Sequence, residues 1–188
     1  MLSGPSGVGK STVLKRIQRR VPGLHYSVSA TTRPRRRGEV HGVHYYFVDT
    51  DEFRRMLDAG ELLEHAYFAQ NYYGTPAAEV QRRLAAGQDV LLEIEVQGAR
   101  QVRAAAGADA VLLFLAPPSF DELARRLVGR GTENAEVRAA RLAAARSELA
   151  AESEFDHVVV NTDLESATDA LVALMTSEPP SQHPSTTV

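Results

Sequence analysis

The chain contains no cysteine and no tryptophan, only two lysines among its 21 basic residues, and no apolar run near the roughly 20 residues that span a bilayer. Each shortage removes a class of explanation. Without cysteine there are no disulfides and no thiolate-ligated metal sites, which suits a reducing compartment. No charged-then-apolar leader precedes the first motif, so the cytoplasm is the expected location and no membrane is expected as a partner. A net charge of −3 gives no global pull toward nucleic acid or anionic lipid, so any anion binding must be local. Because arginine serves nearly everywhere a generic positive charge would do, Lys10 is expected to be there for its own chemistry.

What remains is an ordinary globular composition. With 44% hydrophobic and 24% charged residues, neither wholesale disorder nor a fibrous repeat fits. A chain of 188 residues can bury about 70% of the surface its unfolded form exposes, enough for one compact domain with subdomains. Apolar, β-branched runs alternate with helical patterns, the signature of an α/β fold with a parallel sheet and crossover helices. Buried strands are predicted at 26–30, 90–96, 111–116 and 157–161, with 1–3 as the end of another. Helices are predicted at 11–20, where Val13, Leu14 and Ile17 share a face, and at 135–152, rich in Ala, Leu, Arg and Glu. Thr75 followed by Pro76 reads as an N-cap and first-turn proline opening a helix that closes at Gly87. Ser119 and Glu122 form a capping-box pattern for a helix running toward Val128. Residues 33–75 interrupt the alternation. There a strand at 44–48, a helix at 49–59 capped by Asp49, and a non-helical stretch at 62–73 suggest an inserted subdomain with short antiparallel strands, the kind of segment that often binds substrate. The end, 177–188, is rich in Pro, Ser and Thr and is expected to be a disordered tail.

Gly4-Pro5-Ser6-Gly7-Val8-Gly9-Lys10-Ser11 matches G-x-x-x-x-G-K-[ST] in full, between a strand stub and a helix, which is the context that motif requires. Its glycines let successive backbone N–H groups turn inward around phosphate oxygens, and the helix N-terminus adds partial positive charge. Lys10 is expected to reach the β- and γ-phosphates, and Ser11 to offer its hydroxyl to Mg²⁺. The loop by itself says only that a nucleoside triphosphate binds.

Arg33-Pro34-Arg35-Arg36-Arg37 concentrates positive charge in a slightly acidic protein, near the tyrosines of His44-Tyr45-Tyr46-Phe47 and Asn71-Tyr72-Tyr73-Gly74-Thr75. Guanidinium forks and phenols suit a phosphate monoester, because Arg binds phosphate bidentately. Taken alone, these residues leave a phosphate site and a nucleic-acid patch equally open.

Over residues 3 to about 175 the sequence resembles the guanylate kinase family. The resemblance rests on Gly4-Pro5-Ser6-Gly7-Val8-Gly9-Lys10-Ser11-Thr12, on Ser29 with Thr31-Thr32-Arg33 and Arg36-x-Gly38-Glu39, and on Asn71-Tyr72-Tyr73-Gly74. Gln97-Gly98, Gly129-Arg130-Gly131-Thr132-Glu133 and Val158-Val159-Val160-Asn161 complete it. It implies a core at 1–30, 81–118 and 146–176, a GMP-binding insertion at 31–80 and a lid at 119–145. It also implies a magnesium-dependent transfer of the γ-phosphoryl group of ATP to GMP, with no nucleic acid and no protein partner. Carried onto this chain, Arg33, Arg36, Tyr45 and Tyr73 would hold the GMP phosphate, Ser29, Glu64, Thr75 and Glu95 would face guanine, and Arg126, Arg130 and Arg141 would approach the ATP phosphates. Thr12 would extend the phosphate loop, and Asn161 would sit near the adenine. Lys10, Arg36, Arg130 and Arg141 would be the catalytic set.

A carboxylate such as Glu64 can accept from guanine N1–H and the 2-amino group together, whereas adenine offers no such donor pair and would leave the charge unpaired. The acceptor phosphate is already an anion, so no general base is needed, and catalysis reduces to positioning and charge neutralisation. Two features depart from the family. Glu93-Ile94-Glu95 stands where Asp-x-Asp is usual, placing each carboxylate one methylene further out. Only Met1-Leu2-Ser3 precede the loop, where the family's first strand usually begins several residues earlier, so a longer native N-terminus is expected to raise stability. Competing readings are a phosphopeptide-binding module of scaffolding type, disfavoured by the complete phosphate loop, and a related small-molecule kinase, disfavoured by Ser29, Glu64 and Thr75.

Overall fold

The computed structural model describes residues 1–128 and 135–176. Five short parallel strands lie side by side in the order β2-β7-β1-β8-β9, with β1 at Leu2–Ser3, β2 at His25–Tyr26, β7 at Val90–Leu91, β8 at Leu113–Ala116 and β9 at His157–Val160. The two-stranded group β2-β7 and the three-stranded group β1-β8-β9 meet through Leu2, whose N–H donates to Leu92 at 2.8 Å and whose carbonyl accepts from Ile94 at 3.3 Å. Strand β8 shows why the sheet is central. Leu113 and Leu115 belong to one buried cluster, with Val13, Ile17 and Leu171, while Phe114 and Ala116 belong to another, with Ile94, Ala99 and Val102. A strand buried on both faces in this way needs helices on both sides.

Those helices follow their strands. Helix α1 (Lys10–Arg20) buries Val13, Leu14 and Ile17, as the spacing predicts, and packs beside α7 (Leu164–Thr176). On the opposite face lie α3 (Ala77–Ala85) and α4 (Val96–Ala106), the latter contributing Val96, Ala99 and Val102. Helices α5 (Phe120–Val128) and α6 (Ala135–Ala150) pack on each other, and Arg146 lies 4.1 Å over the Phe120 ring.

The predicted run 26–30 divides. Tyr26 ends β2 in the core sheet, whereas Ala30–Thr31 forms β3 in a second sheet of order β4-β3-β6-β5. In that sheet β4 is Tyr46–Phe47, β5 is Leu62–Phe68 and β6 is Asn71–Pro76; β3, β6 and β5 run antiparallel in turn, as expected, while β4 runs parallel to β3. Helix α2 (Thr50–Asp58) begins at Asp49, whose carboxylate accepts the Glu52 N–H at 2.8 Å, as predicted, and buries Phe53 against the Tyr72 ring at 5.3 Å.

Three sequence expectations need correction. Residues 90–96 are not one strand, because pairing with β2 ends at Leu91 and α4 begins at Val96. Thr75 is not the N-cap and Pro76 is not in the first turn: both complete β6, Pro76 takes the N-cap position of α3, and the Thr75 hydroxyl donates to Glu64 instead. At α5, the Glu122 N–H does donate to the Ser119 hydroxyl at 3.2 Å, but the Glu122 carboxylate pairs with Arg125 and Arg126. The predicted tail at 177–188 lies outside the described residues.

Candidate active site

One cleft of about 650 Å³ runs between the core sheet and the inserted one, with the glycine-rich loop on one wall and the tyrosines and arginines on the other. The loop follows β1 directly. Gly4 holds φ +146°, and a Cβ there would overlap the Leu115 carbonyl oxygen of the neighbouring strand, so only glycine lets the chain leave the sheet at this point. Gly9 (φ +106°) then opens α1, accepting N–H groups from Thr12 at 3.0 Å and Val13 at 3.1 Å. Asn161 braces the loop from behind. It is buried, and its side-chain amide donates to the Val8 carbonyl at 2.8 Å, so it holds the loop's backbone and does not line the cleft. Gly4 and Val8 are buried, and neither lines the cleft, while Pro5, Ser6, Gly7, Gly9, Lys10, Ser11 and Thr12 do.

The Lys10 ammonium donates to the Gly4 carbonyl across the loop, with the Pro5 carbonyl at 3.5 Å. Its charge is felt by Glu93, at the cleft floor. Desolvation pushes the Glu93 carboxyl up, Lys10 opposes the shift, and Glu95 reinforces it. Glu148, on α6, is a participant the sequence reading missed. Its carboxylate accepts the Ser6 N–H at 3.3 Å and lies against Glu95, and burial, with the Glu95 charge, pushes it up to about 7. It stands seven residues, about two helical turns, beyond the half-buried Arg141. Nothing in the sequence marks Glu148 apart from its neighbours on a charged helix.

Arg126, on α5, is brought to the loop, with Nε donating to Glu122 at 2.9 Å and a terminal nitrogen 3.4 Å from the Val8 carbonyl. Arg130 lies outside the described residues.

The opposite wall is built from side chains. Thr31 and Thr32 stitch β3 to β6: the Thr31 hydroxyl donates to the Tyr72 carbonyl at 2.9 Å, and the Thr32 hydroxyl accepts the Tyr72 N–H at 2.9 Å. The Thr31 hydroxyl also accepts the Arg33 N–H at 3.1 Å, which fixes where the arginine leaves the sheet. The Arg33 guanidinium lies 5.3 Å over the Tyr45 ring and 5.7 Å over Phe47. Its outer edge donates to Glu39 at 2.7 Å, and the same carboxylate accepts the Arg36 N–H at 2.7 Å. The Arg33–Glu39 hydrogen bond holds Glu39 below the usual carboxylate range and raises Arg33 further. Tyr45 and Tyr73 meet edge to face at 6.1 Å, and burial, helped by the charge of Glu93, pushes the Tyr45 hydroxyl up to about 12. Arg36 is exposed on the same wall, and Ser29 lines it.

Deeper in, Glu64 on β5 is buried and its Oε1 accepts the Thr75 hydroxyl at 2.6 Å. Burial pushes this carboxyl up to about 7, against the pull of the Thr75 hydrogen bonds. A shielded carboxylate with one oxygen already oriented can recognise a planar pair of N–H donors. Among the described residues no group of three or more His, Asp or Glu side chains could hold a metal ion by itself.

Chemically, the cleft offers a phosphate cradle of backbone N–H groups on one wall and, on the other, an arginine–tyrosine anion site above a buried carboxylate. The sequence matches the guanylate kinase family over residues 1–178. It is 61% identical over 175 residues to a guanylate kinase of Frankia casuarinae, covering 93% of this chain and 95% of that protein. A guanylate kinase of Thermobifida fusca is likewise 61% identical over 175 residues, covering 93% and 89%. Among solved structures, that of guanylate kinase from Anaplasma phagocytophilum superposes with a TM-score of 0.76 at 35% identity, over 93% of this chain and 81% of that one.

Proposed function

The chain belongs to the guanylate kinase family, and from that premise we propose how its cleft carries out the family's reaction. The protein is a nucleoside monophosphate kinase that transfers a phosphoryl group from ATP to GMP. The observation that carries the residue assignments is the opposition, across one cleft, of the phosphate loop to the Arg33–Tyr45–Tyr73 cluster with Glu64 and Thr75 beneath it.

ATP phosphates lie in the loop from Gly4 to Thr12, with Lys10 leaving the Gly4 carbonyl for the β- and γ-phosphates. Arg33, Arg36, Tyr45 and Tyr73 hold the GMP phosphate. Glu64, oriented by Thr75, accepts from guanine N1–H and the 2-amino group, with Ser29 and Glu95 beside it. Arg126 and Arg141, with Arg130, neutralise charge on the transferring group. The GMP oxygen attacks the γ-phosphorus in line; one P–O bond forms as that to ADP breaks, and no protein group need take a proton. Asn161 braces the loop through the Val8 carbonyl, on the side proposed for the adenine.

A hard oxygen donor suits Mg²⁺, and the Ser11 hydroxyl, exposed at the start of α1 and facing the cleft, is such a donor. With phosphate oxygens and water completing its shell, the ion would supply charge neutralisation at the phosphates. Residues 31–80 form the GMP-binding unit, and 119–145 the lid that closes over ATP. The corresponding setting is cytoplasmic purine nucleotide metabolism, where GMP is recycled.

Initial rates of ADP formation with ATP and Mg²⁺ against GMP, AMP, CMP and UMP in turn test the assignment. A strong preference for GMP, lost in Glu64→Ala with the KM for ATP unchanged, is the expected result. Equal use of AMP by the intact protein would remove Glu64 as the base reader.

A further inference from the structure

Glu64 is placed by more than its own strand. β5 is the outer strand of the inserted sheet, paired with β6 on one side and, among the described residues, with no strand on the other. Its register shifts between Leu62 and Glu64, at the residue whose carboxylate must be held to a fraction of an ångström. What meets its open side is a helix of the core. The Gln101 side chain on α4 accepts the His65 N–H at 3.1 Å and donates to the His65 carbonyl at 2.6 Å, reproducing the two hydrogen bonds of an opposing peptide. One turn earlier, the Gln97 side chain accepts the Tyr67 N–H at 3.4 Å.

Between these two glutamines lies Gly98, which is buried in the first turn of the helix. A Cβ built there would overlap Glu64 Oε2, with Cδ at 2.8 Å and Cγ at 3.3 Å. The contact involves the carboxylate head itself, so any side chain at 98 must push that head aside. Neither Gly98 nor Gln101 lines the cleft.

We propose that Gly98 and Gln101 of α4 are specificity-determining positioning residues, which set where the Glu64 carboxylate stands and so how strongly the site prefers a base bearing both an N1–H and a 2-amino group. Gly98 leaves the space that the carboxylate occupies, and Gln101 pins the adjacent residue of β5. The inference rests on Glu64 as the guanine acceptor. Inosine monophosphate isolates the effect, because it keeps N1–H and lacks the 2-amino group. A carboxylate moved off the plane of the base keeps one hydrogen bond and loses the second, so GMP suffers and inosine monophosphate scarcely does.

The experiment compares kcat/KM for GMP and for inosine monophosphate in the wild type, Gly98→Ala, Gln101→Leu, Glu64→Gln and the double variant Gly98→Ala/Glu64→Gln. Gly98→Ala is expected to lower the GMP preference about tenfold or more, through the KM of the monophosphate, with the KM for ATP unchanged. Gln101→Leu is expected to lower it severalfold. The double variant should show no lower preference than Glu64→Gln alone, because both changes act on one carboxylate. Should Gly98→Ala fail to accumulate as folded protein, Gln101→Leu carries the same test. A loss of thermal stability that scales both substrates equally and leaves their ratio intact would overturn the positioning role, as would additive effects in the double variant. An unchanged ratio in Glu64→Gln would overturn the base-reading assignment itself, whereas a collapse there with none in the α4 variants would overturn only the present inference.

Discussion

The two walls of the cleft, each proposed to receive a phosphate, are built from different materials. On the core side, consecutive residues from Gly4 to Ser11 form a cradle whose shape is a property of the backbone, set by glycine dihedrals and by the start of α1. On the inserted side, the anion site is assembled from β3, β4 and β6 and their loops, and Arg33 is held by an aromatic pair and by Glu39. The first wall is contiguous in sequence, with Asn161 and Glu148 bracing it from outside. The second depends on tertiary packing and fails one contact at a time.

That contrast can be broken most severely at Lys10, the side chain of the backbone-built wall that is proposed to reach the transferring phosphate. Lys10→Ala is expected to lower kcat by at least about a hundredfold, the scale of losing a preorganised donor to the transition state, with the unfolding midpoint nearly unchanged. Near-wild-type turnover would assign phosphate binding to the loop amides alone. On the other wall, Arg33→Lys keeps the charge and loses the planar fork, so the KM for GMP should rise about tenfold while that for ATP holds. Equal effects on the two KM values would show that the walls are not independent.

A pH titration separates the walls differently. In the folded protein Glu64 takes up its proton near pH 7, against 4.5 in an unfolded chain, so between these values the folded state binds more protons. Stability in the absence of nucleotide should therefore fall as pH rises from 4.5 to 7, by up to about 3 kcal/mol from this group, and Glu64→Gln should flatten the slope. Glu148 adds a second contribution of the same sign, so the flattening is partial. Affinity for GMP should run the other way, strengthening through pH 7 as the carboxylate forms, and chemical denaturation and GMP titration over this range read the two trends. The smallest effect is expected at Ser6→Ala, which removes a hydroxyl from the loop but leaves the N–H that Glu148 accepts. The KM for ATP should change less than about threefold, and a larger rise would make the loop's side chains matter as the other wall's do.

This difference in construction also explains what could be read from the sequence. A contiguous motif announces itself, and the helix after it follows from the spacing of Val13, Leu14 and Ile17. Dispersed features do not. Residues 90–96 look like one buried strand because Val, Leu and Ile favour strands and buried helix starts alike, yet Glu93 makes only an isolated bridge and Val96 already begins α4. Thr75 has the chemistry of a cap, but Glu64, eleven residues away, takes its hydroxyl. Glu148 and Gln101 carry no local signal at all; their partners, Ser6 and His65, are 142 and 36 residues distant.

The pairing of Gln101 with His65 also bears on how the protein behaves in company. A strand with unsatisfied amides along one side is a template on which another molecule can lay a strand of its own, the first step of sheet-mediated aggregation. Here a helix from the core supplies side-chain amides in place of that intruder, and it occupies the His65 and Tyr67 positions before a second chain can. Helix α4 thereby covers part of the edge that a strand from another copy would need.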